Sequence, residues 1–164
     1  MTRLCLLFIR KNRWNYWGWC GIIGGARDTR KFEFYGEVND MEKWGMFEFN
    51  TPYVGEIIEK INDVVLPNDY IEFMKKHNGG QGDIGETWLI LYRLEELQEI
   101  NDDYEIEVFL PGHIIIGSNG GGELYGIDNK GNYFNVPVLI DEDDVAVLGT
   151  EIELLSDKIN ALWE

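Results

Sequence analysis

The sequence predicts an α+β domain, with a mostly antiparallel sheet flanked by N-terminal helices and a C-terminal helix. Three observations carry this. Two amphipathic helical patterns succeed one another between residues 51 and 79, short strand-like segments joined by tight turns fill 87–148, and a last amphipathic stretch closes the chain. Strands that follow one another through short turns pair antiparallel, whereas parallel pairing needs long crossover connections.

Residues 1–50 read as an N-terminal extension, a hairpin or extra strands packed on the domain. Trp14, Tyr16, Trp17 and Trp19 crowd seven positions, and Gly24 and Gly25 break the run. Phe32 and Phe34 then alternate with Lys31, Glu33 and Tyr35 as in a half-buried strand, and 44–49 offers another. An exposed aromatic and basic arm that binds something is the rival reading of the same residues.

From Thr51 the pattern sharpens. Thr51 as N-cap and Pro52 at the first helical position predict a helix over 52–64, with Ile57, Ile58, Ile61 and Val65 on one face. Pro67 opens a second helix in which Tyr70, Phe73, Met74 and His77 share a face, and Gly79 supplies its left-handed stop. The apolar run 87–92 suits a strand covered on both sides, and Leu94, Leu97 and Ile100 mark a short helix over 93–100. Residues 114–117 and 123–128 are strands around a Gly-rich loop. Asn129, Lys130 and Gly131 turn the chain into a strand over 133–136, and 138–140 follows Pro137 as another. The acidic block 141–144 reads as a loop and 145–148 as a last short strand or extension. Thr150 and Glu153 form a capping-box pattern ahead of a helix that lines up Ile152, Leu155, Ile159 and Leu162.

A chain of 164 residues suits one domain able to bury a core without staples. Its net charge is −16, and the imbalance is local: residues 1–50 carry 8 basic and 6 acidic side chains, residues 51–164 carry 6 and 24. Such a surface repels phosphate backbones and anionic membranes, so nucleic acid and lipid are poor direct partners and a basic protein is the natural one. Cys5 and Cys20 match no metal spacing and make no disulfide framework. Six apolar residues, 4–9, precede Arg10 and Lys11, too few for a secretory core or a bilayer span, which points to the cytoplasm.

The chain offers little to a catalytic reading. The loop 117–122 lacks the Lys and Ser/Thr of a phosphate-binding loop, and Glu123 would repel a phosphate; a hairpin loop with several positive φ angles accounts for it better. His77 and His113 have no Cys or second His at ligand spacing, Ser118 sits in no nucleophile elbow, and 141–144 lacks the alternating ligands of a calcium loop. No catalytic residue, cofactor or metal site is therefore expected, and the protein is read as a binder, not an enzyme. Several carboxylates do fall in loops: Asp83 and Glu86, Asp102 and Asp103, Glu123, and Asp141, Glu142, Asp143 and Asp144. A fold that gathers them makes a field able to steer a basic protein.

Two stretches carry a family resemblance. Leu66-Pro67-Asn68-Asp69-Tyr70-Ile71-Glu72-Phe73, followed by His77-Asn78-Gly79-Gly80, resembles the "LPxDYxxF…NGG" helix of the SUKH superfamily (Smi/Knr-type). Residues 110–128, with Ile116-Gly117-Ser118, Gly120-Gly121-Gly122 and Tyr125-Gly126-Ile127-Asp128, resemble its second hallmark, and Trp88 to Leu91 matches the strand between. The likeness covers 51–164 as a SUKH-like domain and leaves 1–50 outside. It implies an α+β domain and, for bacterial members, an immunity protein that neutralises a cognate polymorphic or contact-dependent toxin, often a nuclease. Other members are non-catalytic regulatory interaction modules, which is the alternative function. The expected partner surface is Asp83, Glu86, Asp102, Asp103, Glu123, Tyr125, Asp141, Glu142, Asp143 and Asp144. The glycines 79, 80, 117 and 120–122 are assigned to backbone geometry, and Tyr70, Phe73 and Trp88 to the core.

Overall fold

The computed structural model describes residues 44–163. The aromatic run around Trp14, the strand at 31–36 and both cysteines lie outside them. Among the described residues one seven-stranded antiparallel sheet has the order β1 (Met46–Phe49), β4 (Gly80–Asp83), β5 (Trp88–Leu91), β6 (His113–Ser118), β7 (Glu123–Asp128), β8 (Tyr133–Pro137), β9 (Ala146–Gly149). A separate hairpin pairs β2 (Lys60–Ile61) with β3 (Val64–Val65). Among the described residues the helices are α1 (Asn68–His77), α2 (Leu97–Asp103), α3 (Ile106–Phe109) and α4 (Leu155–Asn160). This is an α+β fold, and its sheet starts upstream of residue 51.

Helix α1 forms where the sequence placed it. Pro67 sets the entry, Asp69 sits in the first turn, and Lys75, Lys76 and His77 face the negative end of the dipole. Asn78, in the left-handed region at φ 48°, closes the helix by donating its N–H to the Met74 carbonyl. Tyr70, Ile71, Phe73 and Met74 are buried against the sheet with Leu89, Leu91, Ile114, Ile116, Tyr125 and Ile127. Trp44 joins them, its ring 5.2 Å from that of Phe73, and Phe49 stacks on His77 at 4.1 Å. A smaller core on the opposite face holds Ile106, Leu110, Ile115, Leu124, Phe134 and Val136.

Several expectations need correction. The helix over 52–64 does not form: the chain is irregular to Glu59 and then makes the β2–β3 hairpin around Asn62, at φ 49°. Val54, Ile57, Ile58, Ile61, Val64 and Val65 are β-branched and Gly55 interrupts them, so tertiary packing overrides a weak helical period. Ile61 and Val64, opposite each other in the hairpin, are buried, while Ile57 and Val65 face solvent. Residues 138–140 are not a strand. Pro137 ends the ladder, the Val138 N–H turns to the Gly122 carbonyl at 2.8 Å, and Ile140 packs on the smaller core. The helix at 93–100 is a 3-10 turn, Leu94–Glu96, that continues into α2.

Strand β4 escaped the sequence pattern because its sequence is Gly-Gln-Gly-Asp. A Cβ on Gly82, which sits at φ 157°, would lie 2.6 Å from the Phe47 Cα, so the glycine is what lets β1 approach. Asp69 shows what its motif is for. Its Oδ2 accepts the Ile152 N–H at 2.8 Å and the Tyr133 hydroxyl at 3.2 Å, capping the closing helical segment from across the fold. The expected capping box is thus displaced: Glu151 occupies the cap position without a side-chain bond. Asp69→Ala should lower stability by about 2 kcal/mol in urea denaturation, since it orphans one part-buried N–H and one buried hydroxyl. Asp69→Asn, which keeps an acceptor oxygen, should lose clearly less.

Helix α2 does a strand's work. Beyond Tyr92, whose N–H still bonds the Ile116 carbonyl at 2.9 Å, the chain leaves β6, and the buried Asn101 side chain takes over its pairing: Oδ1 accepts the Ile115 N–H at 2.7 Å and Nδ2 donates to the Ile115 carbonyl at 2.9 Å.

Candidate functional site

Antiparallel register brings three connections to one end of the sheet. Asp83 pairs with Trp88 across the β4–β5 turn, Ser118 with Leu124 across the Gly-rich loop, and Pro137 pairs with Glu123 just before the chain leaves β8 for β9. These three turns are therefore neighbours, and the Val138 N–H to Gly122 carbonyl bond ties two of them. The C-terminal end of α4 reaches the same place, because Asn160 Oδ1 accepts the Glu86 N–H at 2.7 Å.

Each turn is held by local chemistry. Asn119 Oδ1 accepts from the N–H groups of Gly121 and Glu123, at 2.8 and 3.0 Å, and φ values of 67° at Gly120 and 121° at Gly122 complete that loop. Asp141 Oδ1 accepts the Asp143 N–H at 3.0 Å and sets a 3-10 turn, Glu142–Asp144. The Glu123 carboxylate accepts from Asn135 Nδ2.

The result is a segregation of charge. The turns 83–88, 118–123 and 137–146 carry Asp83, Glu86, Glu123, Asp141, Glu142, Asp143 and Asp144, and no Lys, Arg or His. None of the seven pairs with a Lys or Arg among the described residues. Arg93 and Lys130, by contrast, lie at the other end of the strands, after β5 and in the β7–β8 turn. Among the described residues no three His, Cys, Asp or Glu side chains are grouped to hold a metal ion. The arrangement can attract and orient a cationic surface.

Three expected residues are placed elsewhere. Asp102 and Asp103 belong to α2, alongside the half of β6 farther from these turns, where Gln98 Nε2 donates to Asp102 Oδ1 at 2.9 Å. Tyr125 points into the main core and is fully buried, because both faces of β7 are covered. Among the described residues its hydroxyl makes no hydrogen bond of standard geometry, and burial, opposed by the nearby Trp163 side chain, pushes its pKa up to about 12. It cannot contact a partner from there.

Other residues were missed. Trp88, assigned to the core, is 41% exposed, since its strand runs beyond the covering layer at this end. Val138, Leu139, Leu162 and Trp163 are also exposed large apolar side chains near the same turns. Apolar residues just past Pro137, where no strand can continue, were the available signal for two of them.

The sequence model of the SMI1 / KNR4 family (SUKH-1) matches residues 56–153, more than half of the chain. That span takes in α1 with its Asp69 cap, the sheet from β4 to β9 and all three acidic turns. No curated protein gives a significant match to the chain.

Proposed function

Because the chain belongs to the SMI1 / KNR4 family (SUKH-1), we propose that it is an immunity protein that binds a cognate polymorphic or contact-dependent toxin and neutralises it. The toxin is a basic domain, a nuclease, whose cationic substrate face docks on the acidic end of the sheet. Substrate and immunity protein then compete for one surface, and inhibition needs no catalytic group. The protein works in the cytoplasm, where the toxin meets nucleic acid, and takes no cofactor.

The observation that carries this is the placement of seven carboxylates, none ion-paired with a Lys or Arg among the described residues, on three adjacent turns with no cation in their sequence. A field of one sign on a rigid surface raises encounter rates with a protein of the opposite sign and excludes nucleic acid itself. Among the described residues no helix is long and apolar enough to cross a membrane. The test is co-expression and co-purification with the polypeptide encoded beside this chain's gene, followed by a nuclease assay at rising molar ratio. Activity should vanish near one equivalent. Full nuclease activity in excess immunity protein would refute the proposal.

A further inference from the structure

We propose that Leu139 is the apolar anchor of this docking surface, seated in the complex in an apolar pocket rimmed by Lys and Arg on the toxin. The anchor role presupposes the toxin-binding role proposed above and adds what holds the complex together. Leu139 is 86% exposed, the most exposed large apolar side chain on the three acidic turns. It is also rigidly presented. Val138 on one side is bonded to Gly122, while Ile140 and Val145 on the other pack on the smaller core, with the Asp141 turn between them. Seating Leu139 therefore requires little ordering of the loop.

Charge alone does not make such a complex last. Exposed charges are screened over about 8 Å at physiological salt, so the carboxylates set the rate of encounter more than its lifetime. Lifetime comes from a few desolvated apolar side chains ringed by polar ones. Leu139, beside Val138 and two residues before Asp141, fits that pattern. Trp88 lies three strand spacings away, roughly 14 Å, within one footprint of about 800 Å². Charge also selects the occupant. A second copy docking through this end would set seven carboxylates against seven, and an anionic lipid surface meets the same repulsion.

The experiment measures association and dissociation with the purified toxin domain encoded beside this chain's gene, at about 0.05 M and about 0.5 M salt. Leu139→Ser should raise koff about tenfold or more at both salt concentrations and move kon by less than about threefold. Leu139→Met should stay near wild type. Val54→Ser, at a residue 95% exposed but outside the three turns, should change neither rate. Unchanged melting temperatures establish that the variants fold. If the wild-type chain binds and Leu139→Ser dissociates at the wild-type rate, the anchor is refuted and the immunity function stands. If the wild-type chain does not bind the toxin, both are refuted.

Discussion

Replacing Asn101 with Leu should cost about 3 kcal/mol of folding stability, a large part of what a domain of this size has. Leu fills the same volume on the same face of α2 but neither donates nor accepts. It leaves the N–H and C=O of Ile115 without partners in a region where Asn101 is fully buried. Each orphaned buried backbone group costs about 1–3 kcal/mol, only partly offset by the better burial of Leu. Asp103→Ala, two residues on and exposed, should stay within about 0.5 kcal/mol. Urea denaturation measures both. Amide exchange adds a local readout: the Ile115 N–H should be protected in the wild type and exchange faster in the variant. A loss below about 1 kcal/mol would mean that α2 docks without the Asn101 bridge.

Reversing charge at Glu142, Asp143 and Asp144 should slow association with the toxin by about 10–100-fold at low ionic strength, with the gap closing as salt rises. These side chains are exposed, and none makes a side-chain hydrogen bond or ion pair among the described residues, so Lys at all three should leave the fold intact. Asp141 is kept because its carboxylate holds the turn. Reversal at Asp102 and Asp103 should have a distinctly smaller effect, because α2 lies beside the other half of β6. Equal effects at the two places would make net charge, not the acidic end, the active quantity.

The contrast between these predictions reflects what a sequence can display. Helix α1 was legible because its signals are local: Pro67 at the start, cations in the last turn and a polar and glycine stop. Strand β7 was read at its full length, 123–128, for the same reason, with a Gly-rich loop before it and an Asp-Asn-Lys-Gly turn after it. The 52–64 segment misled because a run of β-branched residues also satisfies a helical spacing, and only packing decides between the two. Strand β4 was invisible because Gly80 and Gly82 are there for the approach of β1, not for any propensity of their own. The carboxylates could be counted but not located. Their meeting at one end follows from strand register, and the departure of Asp102 and Asp103 from that group follows from a single side chain, Asn101, that pins α2 to β6. Tyr125 and Trp88 exchanged their expected places for a similar reason. Alternation along a strand tells which residues share a face but not where the covering layer ends.

Hydrogen exchange of the free chain and of its one-to-one complex with the toxin locates the interface. Binding through the acidic end predicts slowed exchange in 83–88, 118–123 and 137–146, with α1 and the α2–α3 segment unchanged. Protection confined to α1, or to 94–110, with those three turns exchanging as in the free protein, would contradict it.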